Sequence, residues 1–577
     1  MTNRRIGVYI CHCGGNISDY VDVDRVRGAI KDEAGVVVAK TAMFTCSDAT
    51  QQEMVQDINE QKLDGLVVAS CSPKLHLFTF REVAKRARLN PYQYTQVNIR
   101  EQCSWTHTDD KEGATKKAVR LIRAGIARTN LTEPLDPIKI DTVPKVLVVG
   151  AGIAGLRAAI GLADLGMSVF LIEKSRDVGG WVKSFGKMYP HNKTGKKIIE
   201  QLVNEIKKRE NITLFTNTEL VEKSGSIGNF NIKIRVDDQN HNEINVNVGS
   251  IITATGFDSY RPETGEFGYG LNGVVTLPEF KELLDNSDGN LIYNGKEIKN
   301  IVYIYCVGSR QDSGVENAKR YCSRYCCNAA VHSSIVAFEK KPKIHQFHLF
   351  RDIRTYGKFE LLYNRSREKG SVYLKYDENE PPTVETDLSG KLRVTVRDIL
   401  TFGEEITVQA DLVVLVTGMV PAKNDKLIDA LKLPLGRDGF FNEIHPKLRP
   451  VETVVDGVFI CGACQGPKNS SESVASALAA VTQSASILKK GYVELEPLIA
   501  SVNPELCSWC DECVNSCPYS AIERGQYQGQ EVAVVNKAVC KGCGGCAPLC
   551  PKDAINLKGY TDSQIRSMID AFLKETF

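Results

Sequence analysis

Apolar runs that end on small or polar turns punctuate the whole chain, and one of them organises the rest. Val146-Leu147-Val148-Val149 is apolar and β-branched, as a strand buried on both faces must be. Gly150-Ala151-Gly152-Ile153-Ala154-Gly155 follows, then an Ala/Leu-rich helical run, then a second strand, Ser168-Val169-Phe170-Leu171-Ile172, ending on Glu173. The same rhythm earlier in the chain, Ile6-Gly7-Val8-Tyr9-Ile10 and Gly65-Leu66-Val67-Val68-Ala69, predicts buried strands of a separate α/β unit. Residues 134–144 hold three prolines and read as a linker. Strand-rich sequence runs over 212–248. Two apolar strands then close on Thr-Gly turns, at Ala254-Thr255-Gly256 and Thr417-Gly418. An Ala-rich helix is expected over 473–488, and an amphipathic helix after Tyr560.

The glycine segment has a mechanical logic. Gly150 makes the tight turn, Gly152 lets backbone approach a pyrophosphate, and Gly155 lets the helix pack on the strand. The helix N-terminus offers N–H donors to phosphate, and Glu173 accepts from a ribose hydroxyl. The dinucleotide set is therefore Gly150, Gly152, Ile153, Ala154, Gly155, Glu173 and Lys174. Asp177-Val178-Gly179-Gly180-Trp181 supplies a second glycine pair where backbone can approach the same ligand.

Composition narrows the function. The 577 residues imply several domains, and a formal net charge of +2 argues against a nucleic-acid footprint. No signal-peptide pattern is found, and no apolar run reaches the roughly 18 residues that span a bilayer, so a soluble cytoplasmic protein is expected. The 19 cysteines cluster at tight spacings, which points to metal ligation in a reducing compartment. Cys507-x-x-Cys510-x-x-Cys513-x-x-x-Cys517-Pro518 recurs as Cys540-x-x-Cys543-x-x-Cys546-x-x-x-Cys550-Pro551, the two-cluster ferredoxin run. The fourth cysteine of each run serves the other cluster. Cys507, Cys510, Cys513 and Cys550 thus form one ligand set, and Cys540, Cys543, Cys546 and Cys517 the other. A zinc ribbon does not need three cysteines per loop and a distal Cys-Pro, twice.

A strand at Ile301-Val302-Tyr303-Ile304-Tyr305 stands where a second dinucleotide domain begins, but no second G-x-G-x-x-G follows. Cys306, Cys322, Cys326 and Cys327 follow instead, the number of thiolates that a cubane cluster needs. A cysteine-rich loop without metal is the competing reading. The five N-terminal cysteines, Cys11, Cys13, Cys46, Cys71 and Cys103, are irregularly spaced. They fit buried thiols, a redox thiol pair or an iron–sulfur site.

The chain resembles the flavin and iron–sulfur (A-type) subunits of heterodisulfide reductase over essentially its whole length. The likeness rests on Cys11-His12-Cys13-Gly14, Cys71-Ser72-Pro73, Asn98-Ile99-Arg100-Glu101-Gln102-Cys103-Ser104-Trp105, the Cys306, Cys322, Cys326 and Cys327 set, His445-Pro446-Lys447-Leu448-Arg449-Pro450, and Ala463-Cys464-Gln465-Gly466-Pro467-Lys468. It is a shortened member: the family's inserted ferredoxin domain is missing between Arg235 and Gly249, and Tyr189-Pro190-His191-Asn192 replaces the usual cysteine pair. The resemblance implies an α/β fold in three parts: an N-terminal α/β domain (1–140), a thioredoxin-reductase-like flavoprotein domain (141–497) whose degenerate nucleotide part covers about 297–395, and a two-cluster ferredoxin domain (498–577). It implies FAD, with Ala254, Thr255, Gly256, Gly462, Ala463 and Gln465 joining the glycines at the cofactor. Ala463 stands where related flavoproteins carry an Asp for the ribityl chain. It implies at least three [4Fe-4S] clusters, and Lys447 as a basic residue that tunes the flavin by favouring its reduced anion. The implied partners are other subunits of such a complex and a ferredoxin or similar one-electron carrier, with a homodimer left open. The implied activity is flavin-dependent electron transfer, and bifurcation rests on the resemblance alone. The alternative is an NAD(P)H-dependent flavin disulfide reductase with an appended ferredoxin module, against which the missing second fingerprint argues.

Overall fold

Parallel strands that are apolar throughout need cover on both faces, and the strand Lys145–Val149 has it. It lies at the centre of a five-stranded parallel sheet ordered Ile212–Phe215, Ser168–Ile172, Lys145–Val149, Ser250–Thr253, Val458–Ile460. Val146, Leu147 and Val148 expose no surface, and the helices Ile153–Asp164 and Ser470–Leu488 pack against the sheet and each other. The latter helix starts at a capping box: Asn469 accepts from the Glu472 amide and Glu472 accepts from the Asn469 amide. This computed structural model describes residues 4–237, 242–287, 289–311, 314 and 317–574. They fall into two compact units, one of residues 140–493 and one of residues 1–139 with 494–577. Among the described residues no helix is long and apolar enough to cross a membrane.

Within the 140–493 unit, a second five-stranded parallel sheet runs Val274–Thr276, Leu412–Thr417, Asn300–Val307, His345–Phe350, Val372–Lys375. The two Thr-Gly turns meet where the chain passes between the sheets, because Phe257–Ser259 pairs antiparallel with Met419–Pro421. The segment 212–248 supplies the hairpins Thr218–Ser226, Asn229–Val236 and Glu243–Val248. Arg235 pairs directly with Glu243, and only residues 237–242 separate those strands, too few for an inserted domain.

The other unit contains a four-stranded parallel sheet ordered Val36–Ala42, Ile6–Cys11, Gly65–Ser70, Tyr94–Asn98. Helices Val23–Ile30 and Lys111–Asn130 cover one face, while Asp48–Glu60 and Pro73–Arg86 cover the other. The ferredoxin module is built on two antiparallel pairs, Ala500–Val502 with Ile555–Leu557 and Ile522–Tyr527 with Gln530–Val535. Sequence leads one to expect this module as a separate domain, yet it packs on the N-terminal part within one unit. The amphipathic helix expected after Tyr560 is Asp562–Leu573, and it lies along Lys111–Asn130. Arg128 fastens the joint: its Nε and Nη2 donate to the Gly559 carbonyl at 3.1 and 2.9 Å, and its guanidinium covers the Tyr560 ring at 4.0 Å. Gln564 Nε2 donates to the Leu131 carbonyl at 2.9 Å.

Hydrogen bonds to a charged donor contribute about 1.5–3 kcal/mol each when buried, and Arg128 is buried. Arg128→Met should therefore raise amide hydrogen exchange across the helix Asp562–Leu573 by at least about tenfold. Unchanged protection there would remove Arg128 from this role.

Candidate functional site

A cavity of about 560 Å³ opens at the carboxyl ends of the central strands of the 140–493 unit. Its floor is the glycine fingerprint. Gly150 has φ +101°, and a Cβ there would lie 2.6 Å from the Ala254 carbonyl oxygen. At Gly155 a Cβ would come within 1.8 Å of the Gly150 carbonyl oxygen, so any side chain would push the helix off the strand. Gly152 faces open space. Its extended backbone starts the helix Ile153–Asp164, leaving early amides free for a ligand. The second glycine pair is tied to the first, since Gly179 N donates to the Ala151 carbonyl at 2.8 Å. The Glu173 carboxylate is steered to the rim by the amides of Ala151 at 2.8 Å and Ser175 at 3.0 Å. The Trp181 ring stacks on Phe257 at 6.0 Å while its Nε1 donates to the Phe257 carbonyl at 2.9 Å.

Gly150, Gly152, Ile153, Ala154, Glu173, Lys174, Gly179, Gly180, Trp181, Ala254, Thr255, Gly256 and Ala463 all line this cavity. Gly155 and Gly462 stand behind it as packing positions; a Cβ on Gly462 would meet the Ala154 Cβ at 2.8 Å. Gln465 is turned away, because its Nε2 donates to the Pro450 carbonyl at 2.6 Å and its Oε1 accepts from Ser476 at 2.8 Å. Lys447 stands elsewhere than the cavity. It is exposed and absent from the cavity wall, in a loop where the His445 ring accepts from the Lys447 and Leu448 amides. The lysines that do line the cavity are Lys174, Lys183, Lys187, Lys281 and Lys468. Open backbone at Gly152, fixed donors and a steered carboxylate suit an adenine dinucleotide.

The four central cysteines come together at the carboxyl edge of the second sheet. Cys306 stands near the end of the strand Asn300–Val307 with φ +64°, and Cys326 and Cys327 are the first two residues of the helix Cys326–Lys340. They occupy the helix start that would hold a pyrophosphate in an intact nucleotide domain. A hydrogen bond with Cys327 and burial drive the Cys326 thiol up, and the fields of Cys306 and Cys322 add to it. The same hydrogen bond, aided by Arg354 and Arg310, holds the Cys327 thiol down. Cys322 Sγ accepts from the Arg324 amide at 3.3 Å. Arg310 Nη1 and Arg351 Nε are buried beside these sulfurs without a hydrogen-bond partner among the described residues. Four grouped thiols beside arginine side chains fit an anionic cluster.

In the ferredoxin module, Cys507, Cys510, Cys513 and Cys550 line one small cavity, and Cys517, Cys540, Cys543 and Cys546 line another. Amides point at the sulfurs: Ala533 to Cys507 at 3.3 Å, Ala521 to Cys517 at 3.3 Å and Ala554 to Cys550 at 3.2 Å. Among the described residues no set of His, Cys, Asp or Glu side chains closes on a single metal ion. Sulfurs arranged around a space, with N–H groups aimed at them, suit cubane clusters instead.

Spacing leaves the N-terminal cysteines open, and the topology groups four of them. The strand order reverses between Ile6–Cys11 and Gly65–Ser70, the switch point where open α/β sheets bind ligands. Cys11 ends the first strand with Cys13 just after it, and Cys71 follows the other. Burial raises the Cys46 thiol, and Cys11 and Cys13 are close enough to add to the shift. Arg100 Nη1 reaches Cys13 Sγ at 3.5 Å, and the Thr45 amide reaches Cys11 Sγ at 3.4 Å. Cys103 is apart, fully buried and near Lys117. The signal in the sequence is position: each grouped cysteine ends or follows a strand. Cys461 and Cys464 stand at C-x-x-C spacing, yet both are buried core thiols. Cys464 Sγ donates to the Cys461 carbonyl at 3.1 Å.

Residues 144–302 match the family of pyridine nucleotide-disulphide oxidoreductases, and residues 506–554 match the 4Fe-4S dicluster domain. The chain is 35% identical to the second A-type iron-sulfur subunit of the CoB–CoM heterodisulfide reductase of Methanopyrus kandleri, over 92% of each chain. It is 36% identical to the corresponding iron-sulfur subunit of Methanocaldococcus jannaschii, over 99% of this chain and 98% of that one. It is 35% identical to the A-type subunit of the H2:CoB-CoM heterodisulfide,ferredoxin reductase of Methanothermobacter thermautotrophicus, over 90% and 91%. With a flavin-type dinucleotide fold, a dicluster module and identity of this extent along nearly the whole length, the chain belongs to the family of A-type heterodisulfide reductase subunits.

Proposed function

We propose that this protein is the FAD- and [4Fe-4S]-containing subunit of a cytoplasmic heterodisulfide-reductase-like complex. In it an electron pair exchanged at the flavin is divided into single electrons, some of them passed to a ferredoxin, as in electron bifurcation. One observation carries the reading. The cavity wall joins the glycine fingerprint to Tyr325, Asn328 and Ala329, and that helix begins with Cys326 and Cys327. A ring in this cavity and a cluster on those thiols would be near neighbours.

When bound, FAD supplies the interchange between two-electron and one-electron chemistry. Everything else falls to the chain. The amides after Gly152 receive the pyrophosphate, and Glu173 accepts from the ribose. Trp181, Phe257 and Tyr325, with successive ring centroids 6.0 and 6.2 Å apart, keep water from the ring. Arg310, Arg351 and Arg354 offset the negative charge of the thiolates at the cluster. The ferredoxin module gives two further clusters on the surface of its own unit, suited to a one-electron partner. The names of relatives that include ferredoxin support this port.

An NAD(P)H-dependent disulfide reductase is the other reading, and the helix Cys326–Lys340 speaks against it. Its N-terminus is occupied by two thiols, and no G-x-G-x-x-G stands between it and the strand Asn300–Val307.

Anaerobically prepared protein should contain one FAD and about twelve irons per chain, four for each of three clusters. About eight would remove the central cluster, and about sixteen would add a fourth on Cys11, Cys13, Cys46 and Cys71. Stopped-flow mixing with NADH or NADPH should bleach the flavin slowly at most. Rapid bleaching by either would favour the disulfide reductase reading.

A further inference from the structure

The aromatic series Trp181, Phe257 and Tyr325 leads from the second glycine pair to an end of the cavity that the fingerprint does not use. Three polar side chains face that end. Asn328 and His332 lie one turn apart on the helix Cys326–Lys340, and Lys281 comes from the helix Leu277–Asn286. Asn328 is 8% exposed, and neither its Oδ1 nor its Nδ2 has a hydrogen-bond partner among the described residues. His332 is 7% exposed and meets the Tyr189 ring edge-on at 6.3 Å. Burial and the charges of Lys281, Arg365 and Lys187 push its pKa down to about 4, so it is neutral. The Lys281 ammonium sits 5.8 Å from the Phe185 ring, and burial lowers its pKa to about 8.

Leaving a buried amide donor and acceptor unpaired costs about 1–3 kcal/mol for each group. The arrangement makes sense if a ligand edge offers an acceptor and a donor side by side, as an imide does. Leu277, Pro278, Phe359 and Leu362 complete apolar walls, which suit the faces of a ring. Lys281 calls for negative charge on it. A flavin ring that gains two electrons and one proton carries one such charge.

We propose that this end of the cavity seats the redox ring of the flavin, with Asn328 reading its imide edge and Lys281 stabilising its reduced anion. Lys281 thus takes the role that the sequence suggests for Lys447, with neutral His332 as a positioning residue beside it. The inference rests on the FAD reading above.

The test uses the full-length, anaerobically purified chain, with its flavin content measured first and its flavin midpoint potential titrated at fixed pH. Lys281→Met should make two-electron reduction at least about tenfold less favourable, a fall of about 30 mV. Lys281→Arg should recover most of it, and Lys447→Met should leave the potential where it was. Asn328→Leu should weaken FAD retention in equilibrium dialysis at least about tenfold, from the loss of paired buried groups. Iron content in each variant reports whether the neighbouring cluster and the fold survive. A chain that holds no FAD overturns the cofactor reading itself. A chain that holds FAD while Lys281→Met leaves the potential unchanged overturns the present inference alone. So does a chain in which Asn328→Leu spares the flavin but abolishes binding of NADH, because the lobe would then seat a second ring with a carboxamide edge.

Discussion

Parallel strands leave their carboxyl edges as the place where chain direction, helix starts and free amides converge, and this constraint governs the candidate sites outside the ferredoxin module. Gly150 and Gly152 lie at such an edge in the first sheet of the 140–493 unit. Cys306, Cys326 and Cys327 lie at the equivalent edge of the second sheet. Cys11 ends and Cys71 follows adjacent parallel strands on either side of the strand-order reversal in the N-terminal sheet. The second sheet is the informative case. Its strand and helix persist, but no G-x-G-x-x-G joins them and thiols stand at the helix start. A helix N-terminus favours any anion, so one scaffold can pass from holding a dinucleotide to holding thiolates without a change of topology.

Charge is arranged to suit that exchange. Arg310, Arg351 and Arg354 surround the central thiols, and two of these arginines have buried N–H groups with no partner among the described residues. Arg100 plays the same part for Cys13 in the N-terminal group. In the ferredoxin module, backbone amides take this role instead. Hydrogen bonds and charge around the sulfurs are what set cluster potentials, so surroundings this different would give clusters held in them different potentials.

What can be read from the sequence is local. The G-x-G-x-x-G turn with its acid, and the two C-x-x-C-x-x-C-x-x-x-C-P runs, each sit within one short segment, so spacing alone carries their geometry. The Cys306, Cys322, Cys326 and Cys327 set is readable as a count of thiols, though not as a replacement at a helix start. The grouping of Cys11, Cys13, Cys46 and Cys71 depends on strand order, which spacing does not encode. Arg128 and Gly559 are far apart in the chain, so the joint between the N-terminal part and the ferredoxin module leaves no local trace. The placement of Lys447 is unreadable for a similar reason. Loop direction is set by the bonds from the Lys447 and Leu448 amides to the His445 ring, and no property of a lysine in a polar loop reveals which way it points. Lys281, by contrast, sits in a helix with no motif of its own and gains its meaning from Asn328 and His332 across the cavity.

The central claim is that a thiolate cluster has replaced the second nucleotide beside the flavin cavity. An anaerobic reductive titration of the full chain, followed in parallel by visible absorption and electron paramagnetic resonance, tests it most directly. The chain should take up about five electrons, two at the flavin and one for each of three clusters. Cys327→Ser should take up about one fewer while keeping its FAD and both ferredoxin clusters. An uptake of about four electrons in both proteins would contradict the account.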